Sequence, residues 1–305
     1  MPVAVRGKTD SGVLIVFLHG GPGGTALQKI GLRAFNDLEQ SYGMVFWDQR
    51  SSGSSQGNSA RSDLTLEQFT EDLDKLVDLL HSRYKNSSIF LMGHSWGGCL
   101  GTNYLLDNDR QGKVRGWIDV DGAHNNPEGD DLSMQFVINY AQQQIIKGTE
   151  SDFWQYVISW YARNPNFTTD QLEHYTFVDK AHGYVFNPSL DASEKFPNYS
   201  FSYMFESPAN LPASLINYNN VIKHFIISDI DLTPKMGAIE TPSLIIWGAH
   251  DGIIPYAMAQ NAYDALGTPP DKKQIVTLPN SAHNGFHEEP AAFVSAVRAF
   301  VEEYR

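Results

Sequence analysis

The feature that most constrains the fold is the pentapeptide Gly-His-Ser-Trp-Gly at residues 93–97. It follows a short apolar run at 89–92 and precedes a helix-like segment at 98–106. The two glycines permit a sharp turn from strand to helix, because larger side chains would clash where the two elements meet. Such a turn exposes the hydroxyl of Ser95 at the carboxyl end of a strand. A glycine-serine turn without chemistry is the alternative interpretation.

The rest of the chain alternates between strand and helix patterns at both ends. Strands are predicted at 13–18, 44–47, 89–92, 114–120, 243–247 and 274–278. Helices are predicted at 26–40, from Leu66 onward with Thr65 and Gln68 spaced as a capping box, at 98–106, at 256–265 and at 291–304. This alternation is typical of a parallel sheet with crossover helices, and it predicts an α/β fold.

The middle of the chain interrupts this alternation with aromatic-rich helical patterns, separated by Asn, Pro and Ser. We therefore expect one α/β core formed by residues 1–121 and 242–305. Residues 122–241 are expected to form an inserted helical lid over the carboxyl ends of the strands. A chain of 305 residues, of which 42% are hydrophobic, is long enough to bury a core of this size.

Composition excludes several classes of protein. A formal net charge of −13 disfavours non-specific binding to nucleic acid, because the phosphate backbone is repelled. No apolar run approaches the roughly 20 residues of a membrane span. The single cysteine, Cys99, excludes an internal disulfide and a cysteine-based metal site, and we expect a small buried thiol there.

The amino terminus carries no long apolar segment of the signal-peptide type after Met1. We therefore expect a cytoplasmic protein, or an exported one if its amino terminus has been trimmed of a signal.

Two further side chains complete a catalytic constellation with Ser95. A serine hydroxyl needs a nearby base, and the base needs a carboxylate to fix its tautomer. Asp251 follows the predicted strand 243–247, and His283 follows the strand 274–278. Both positions lie at the carboxyl edge of the sheet, in the chain order Ser, acid, His. We predict Ser95 as nucleophile, His283 as base and Asp251 as acid.

Other titratable residues compete for these roles. His287 could replace His283, although its position at the start of a helix favours a surface location. Asp119 and Asp121 end the strand before the lid and offer another acid. Structural or solvated roles are expected for His19, His94, Asp229, Asp231 and His250.

Acyl transfer also needs two hydrogen-bond donors for the developing oxyanion. The backbone N–H of Trp96, directly after the serine, is one candidate. The segment His-Gly-Gly-Pro-Gly-Gly at 19–24 offers the N–H of Gly21 as the second, while Pro22 supplies no N–H. A phosphate-binding loop is the alternative, but neither glycine pattern for phosphate is present. We predict no cofactor and no metal.

Three segments together carry a resemblance to a known family: residues 19–24, residues 93–98, and Asp-Gln-Arg at 48–50 followed by Gly53 and Ser55. The chain resembles an α/β-hydrolase, specifically the proline iminopeptidase family of serine peptidases. The resemblance implies a mostly parallel sheet flanked by helices with an inserted lid. It also implies removal of an amino-terminal residue, often proline, from a short peptide or small amide through an acyl-enzyme on Ser95.

The chain departs from the family pattern at two places. Ser51 follows Arg50 where the family has glycine, and Tyr161 follows Trp160 where the family's lid has a glutamate that helps to hold the substrate's ammonium group. Glu206, in an aromatic stretch, is our candidate for that role. The alternative functions are a carboxylesterase on small acyl esters and a ligand-binding receptor with little turnover. Oligomeric state is not predicted.

Overall fold

The computed structural model describes residues 1–55, 59–187 and 227–305. Within these ranges seven strands form one sheet in the order β1-β3-β2-β4-β5-β6-β7. In chain order they are β1 (Val3–Gly7), β2 (Val13–Leu18), β3 (Gly43–Trp47), β4 (Ser88–His94), β5 (Gly116–Val120), β6 (Ser243–Gly248) and β7 (Lys273–Leu278). Strand β1 pairs antiparallel with β3, and the other neighbours pair in parallel. The predicted α/β fold is confirmed.

Helices cover the sheet and also form much of the described chain between β5 and residue 187. The described helices are α1 (Arg33–Glu39), α2 (Leu66–Arg83), α3 (Trp96–Leu105), α4 (Asn108–Gln111), α5 (Asn126–Lys147), α6 (Ser151–Arg163), α7 (Gln171–Lys180), α8 (Ala257–Ala265), α9 (Gly285–Glu288) and α10 (Pro290–Tyr304). The predicted cap of α2 is confirmed, since the Thr65 hydroxyl accepts a hydrogen bond from the Gln68 N–H at 3.2 Å. No helix among the described residues combines the length and apolarity that a bilayer crossing requires.

The predicted helix at 26–40 is wrong in its first half. The chain forms a short 3-10 turn at Leu27–Lys29 and begins α1 only at Arg33. Gly31 between them has φ +86°, a conformation that ends a right-handed helix. The carboxylate of Asp48 also accepts hydrogen bonds from the N–H groups of Ala26 and Leu27, which fixes the turn.

The sheet is buried on both faces, as expected for parallel strands between helices. All six residues of β2 are buried. Leu14, Val16 and Leu18 pack in the core on one face, and Val13, Ile15 and Phe17 pack in the core on the other. An uninterrupted apolar run is therefore the correct pattern for a strand of this sheet.

Helices α5, α6 and α7 have a hydrophobic cluster of their own, built around Trp154, Trp160 and Phe177. They lie in the segment expected to be the lid. The boundaries of that lid, residues 122–241, stay a prediction.

Strand order brings the loops at the carboxyl edge together. The chain places β3 on one side of β2 and β4 on the other, and a reversal of this kind opens a crevice at the carboxyl ends. From β2 across the sheet, the loops that follow β2, β4, β5, β6 and β7 are neighbours in that order. These are the loops that carry Gly21, Ser95, Asp121, Asp251 and His283.

Candidate active site

Ser95 lies in the turn between β4 and α3 with φ 58° and ψ −122°. This is an unfavourable region for a residue with a side chain, and such strain is often kept at functional sites. A Cβ on Gly93 would overlap the carbonyl of Gly97 and the ring of Trp117, and one on Gly97 would overlap the carbonyl of Leu18. Close packing therefore requires glycine at both positions, and the surrounding structure holds the turn in its strained conformation.

The loop after β2 lies directly against Ser95. A Cβ added to Gly20 would come 3.1 Å from the Cβ of Ser95. Gly21 is exposed and has φ +130°, a conformation that L-residues avoid. Trp96 is the first residue of α3, so its N–H belongs to the amide groups at the positive end of the helix dipole. Gly21 thus follows the residue that touches Ser95, and Trp96 directly follows the serine; their role as oxyanion donors stays a prediction.

Gln49 joins three segments of the site through its hydrogen bonds. Its side chain accepts from the indole N–H of Trp96 at 2.9 Å and donates to the carbonyl of His19 at 3.1 Å. Its backbone N–H donates to Nε2 of His19 at 3.1 Å. His19 is therefore a structural residue, as expected, and its Nδ1–H donates to the Gly20 carbonyl at 2.8 Å.

Asp48 and Arg50, the residues on either side of Gln49, fix the same loop through contacts with other segments. Arg50 forms a bidentate ion pair with Asp72 of α2, with both N···O distances at 2.8 Å. Asp48 is fully buried and accepts hydrogen bonds from Thr25 and from the N–H of Ser54. The sequence identified the tripeptide Asp48-Gln49-Arg50 only through the family resemblance. It did not predict that these three side chains hold the site together, because that role depends on contacts between distant segments.

His283 and Asp251 form the central hydrogen bond of the site. Nδ1 of His283 donates to Oδ2 of Asp251 at 2.8 Å, and both side chains are almost completely buried. The other oxygen of Asp251 accepts from the N–H groups of Ile253 and Ile254 at 2.8 and 3.0 Å. Because Nδ1 carries the donated proton, Nε2 is the basic nitrogen of a neutral His283.

The residue before the serine connects the turn to His283. Nε2 of His94 donates to the backbone carbonyl of His283 at 2.8 Å, and the two rings are 4.8 Å apart between centroids. Burial, with a smaller contribution from the charge of Lys29, lowers the pKa of His283 to about 3. Burial also lowers the pKa of His94 well below its ordinary value. Both imidazoles are therefore neutral near pH 7, and His283 can accept a proton.

The alternative acid Asp121 lies in the same cluster. Ligand-type atoms of His94, Asp121 and His283 all fall within 4.8 Å of one another. One nitrogen of each histidine is already bonded within the protein, His94 to a carbonyl and His283 to Asp251. The cluster is therefore part of the hydrogen-bond network around His283. Asp119 instead lies beside Gly98 and Gly122.

The remaining candidates fall outside this network. His287 is half-buried in α9, so the expected surface location is wrong. His250 stacks on Phe186 with centroids 3.8 Å apart, in agreement with a structural role. Cys99 is buried, as expected, and burial raises the pKa of its thiol. Glu206 lies outside the described residues.

Comparison with known proteins shows the family to which the fold belongs. A model of the alpha/beta hydrolase fold matches residues 13–290. The chain is similar to the probable aminopeptidase YbaC of Bacillus subtilis, with 23% identity over 96% of this chain and 90% of that protein. It is similar to a proline iminopeptidase of Saccharolobus solfataricus, with 25% identity over 95% of this chain and 84% of that protein. The crystal structure of a proline iminopeptidase from Mycobacterium smegmatis matches with a TM-score of 0.67 at 15% identity, over 99% of this chain and 94% of that one.

Proposed function

This chain belongs to the alpha/beta hydrolase fold family and is a hydrolase, and on that premise we propose that it cleaves its substrate with a triad of Ser95, His283 and Asp251. The observation that carries the proposal is the buried 2.8 Å hydrogen bond between His283 and Asp251. Both residues follow strands on the same side of the sheet as the strained serine turn. This arrangement supplies the nucleophile, base and acid that acyl transfer needs.

Each residue then has a defined step. Nε2 of His283 takes the hydroxyl proton as Oγ of Ser95 attacks the substrate carbonyl carbon. Asp251 stabilises the resulting imidazolium, and the N–H groups of Trp96 and Gly21 bind the oxyanion. His283 next gives its proton to the leaving group, so that the bond to the leaving group breaks and an acyl-enzyme forms. Water, deprotonated by His283, then attacks the acyl carbon; the bond from that carbon to Oγ breaks, His283 returns the proton to Oγ, and the acid leaves.

For the substrate we propose a short peptide or small amide with a free amino terminus, as for an aminopeptidase of proline iminopeptidase type. The names of two relatives support this class, at 23% and 25% identity. An enzyme that encloses a substrate ammonium group needs an acceptor for it, because an unpaired buried charge is costly. Glu206 remains our candidate for that acceptor from the sequence.

Asp130 on α5 is a second candidate for the ammonium acceptor. It shares a helical face with Asn126 and Ser133. Asn126 donates to the carbonyl of Ala123, whose N–H in turn donates to the carbonyl of Ser95 at 3.0 Å. The hydroxyl of Ser133 donates to the carbonyl of Gly252, beside Asp251. Asp130 therefore lies on the helix between two anchors to the catalytic loops.

The electrostatics of Asp130 favour a cationic partner. Burial, with a contribution from the charge of Asp131, raises the pKa of Asp130 to about 7. A desolvated carboxylate of this kind gains most from a cation bound next to it, because the cation restores the stability of the charged form. A substrate ammonium group would supply that charge.

A carboxylesterase is the second candidate function, and Tyr161 is the observation that favours it. The hydroxyl of Tyr161 is bonded to Nδ1 of His174 at 2.8 Å within the helical cluster. Tyr161 therefore supplies no negative charge at the position where the related family has a glutamate. Neutral acyl esters need no such charge.

The test is a substrate panel on matched variants. Aminoacyl anilides, the same anilides acetylated at the amine, and short-chain nitrophenyl esters are compared with the wild-type protein and with Ser95→Ala, Asp130→Asn and Asp131→Asn. We expect Ser95→Ala to lose about 10⁴-fold or more in kcat, because triad members act as a unit. We expect Asp130→Asn to raise KM for free-amine anilides alone, with the exposed neighbour Asp131→Asn unchanged.

Each outcome separates one assignment from the others. More than about a tenth of wild-type activity in Ser95→Ala contradicts the nucleophile. A preference for acetylated or ester substrates, with Asp130→Asn unchanged, contradicts the aminopeptidase and leaves the esterase. Labelling of Ser95 by a fluorophosphonate without turnover of any substrate would indicate the ligand-binding receptor.

A further inference from the structure

Asp121 is a buried carboxyl group next to the triad that the proposed mechanism does not use. It follows β5 directly, has φ 48° and is 0% exposed. Its Oδ1 accepts a hydrogen bond from the N–H of Gly248 at 2.9 Å, at the end of the strand that leads to Asp251. One of its carboxyl oxygens lies within 4.8 Å of a ring nitrogen of His283, which is bonded to Asp251, so the two buried carboxyl groups are neighbours.

Counting donors shows where the proton of this pair resides. Asp251 accepts three N–H bonds, from Ile253, Ile254 and His283. Asp121 accepts one, and within the described ranges no N–H or O–H group of another residue donates to its Oδ2. Two ionised carboxylates have no hydrogen to share, so a bond between them requires one proton. The proton belongs on the carboxyl group with fewer donors, which is Asp121.

We propose that Asp121 is a positioning residue, a neutral carboxylic acid whose Oδ2–H donates to the Asp251 carboxylate. The inference rests on the proposed function, since it takes Asp251 as the acid of the triad. The bond adds a further restraint on the Asp251 carboxylate beside those from Ile253, Ile254 and His283, and it leaves one negative charge in the buried pair.

The electrical surroundings favour this protonation state. Burial, together with the negative charge of Asp251, raises the pKa of Asp121 well above its ordinary value. The titratable groups that act on the pair from neighbouring elements are Asp119 on β5, His94 on β4, His283 after β7 and Glu288 on α9. The two histidines are neutral, so they do not offset a second negative charge beside Asp251.

The expected consequence is a less basic triad. A hydrogen bond to the charged form of Asp251 stabilises that form, so the carboxylate attracts the His283 proton less strongly. The hydrogen bond from Asp121 therefore keeps the pKa of His283 low. Removing the donor should raise the pKa of His283 and move the acidic limb of kcat/KM to higher pH.

The experiment compares Asp121→Leu, which removes the donor, with Asp121→Asn, which keeps a neutral donor and acceptor in the same shape. Asp119→Asn is the matched control, because it alters a second buried carboxyl group two residues away, on β5. The readouts are the pH profile of kcat/KM and the NMR titration of ¹⁵N-labelled histidine rings in the unreacted protein. Asp121→Ala replaces the leucine variant if that variant fails to fold.

We expect Asp121→Leu to raise the pKa of His283 by about half to one unit, the effect of one hydrogen bond. The acidic limb of the kcat/KM profile should move to higher pH by the same amount. In this variant the Nδ1–H resonance of His283 should also move downfield, because its hydrogen bond to a more basic Asp251 carboxylate is stronger. Asp121→Asn should restore the wild-type titration. Asp119→Asn should not raise the pKa of His283, because removing a nearby negative charge can only lower it.

Three results would overturn the proposal. A lower pKa of His283 in Asp121→Asn would mean that Asp121 is ionised. A loss of about 10³-fold or more in Asp121→Asn would make Asp121 itself the acid of the triad. An unchanged titration in Asp121→Leu would mean that the two carboxyl groups are not coupled. The NMR titration needs no turnover, so failure of the hydrolase function itself would appear separately, as an absence of activity with every substrate.

Discussion

At the scale of single residues, backbone strain concentrates beside the candidate site. Ser95, Asp121 and Ser51 all have positive φ, at 58°, 48° and 52°. Such values cost a residue with a Cβ roughly 1–2 kcal/mol. Ser51 occupies the position where the related family has glycine, and its left-handed conformation explains why glycine suits that turn. The hydrogen bonds of Asp48 and Gln49, just before Ser51, offset this strain.

The identity of the base gives the first prediction at this scale. His283→Ala should lose about 10⁴-fold in kcat, because the residue accepts and returns the proton in both half-reactions. His287→Ala, four positions along the chain, should keep activity within about tenfold, since His287 lies in α9, beyond the loop that places His283 against Asp251. Steady-state kinetics on the best substrate of the panel measures both variants.

A folded His283→Ala protein must accompany that result, and circular dichroism supplies the control. If His287→Ala were the inactive variant and His283→Ala the active one, the assignment of the base would be reversed.

At the scale of elements, one hydrogen-bond chain connects three helices to the loop of Asp251, the proposed catalytic acid. Ser133 of α5 donates to the carbonyl of Gly252 and accepts from Nε2–H of His174 at 2.9 Å. Nδ1 of His174 on α7 accepts from the hydroxyl of Tyr161 on α6. The direction of each bond in the chain follows from the Gly252 carbonyl, because a carbonyl oxygen can only accept a hydrogen bond. Burial lowers the pKa of His174 to about 3, which keeps this neutral tautomer.

Breaking this chain is the prediction at the element scale. Ser133→Ala leaves a buried carbonyl and a buried imidazole N–H without their partner, at a cost of about 1–3 kcal/mol. We expect the Tm to fall by a few degrees. Because the loop of Asp251 loses one of its contacts to α5, kcat should also fall, by more than KM changes.

Thr176→Ala is the matched control for that measurement, since it removes an exposed hydroxyl from α7 that bonds only within its own helix. Differential scanning calorimetry should find its Tm close to that of the wild type. A Ser133→Ala variant with wild-type Tm and kcat would mean that the chain contributes nothing to the acid loop.

At the scale of the whole molecule, charge is the property that acts over the longest distance. A formal net charge of −13 gives the surroundings of the protein a negative potential. Cations are therefore concentrated near it, and anions are repelled. The effect falls with ionic strength, because the Debye length shrinks from about 30 Å at 0.01 M to about 3 Å at 1 M salt.

Salt dependence tests this property with two esters that differ only in an acyl-group charge. For a cationic nitrophenyl ester, we expect kcat/KM to fall about two- to tenfold between about 0.01 M and 1 M sodium chloride. For its neutral counterpart, the change should stay within about twofold. A salt response of equal size for both esters would show that the field of the protein does not act on the substrate.

Local pattern was sufficient for most elements of the fold. The apolar runs around β2, β4 and β6, and the cap of α2 at Thr65, are each decided by neighbours in the chain, so the sequence predicted them closely. The order of serine, acid and histidine after successive strands likewise made Ser95, Asp251 and His283 candidates before any contact was known. Their roles stay predictions until the variants are measured.

Contacts between distant segments could be decided only by the tertiary structure. Gly31 and the carboxylate of Asp48 interrupt a helix that periodicity extends through residues 26–40. The sequence presented Asp121 and Asp251 as rivals for one role, whereas the folded chain buries both carboxyl groups beside His283. Periodicity reports the face on which a side chain lies, but strand order decides which loops meet, and burial there decides which carboxyl group holds a proton.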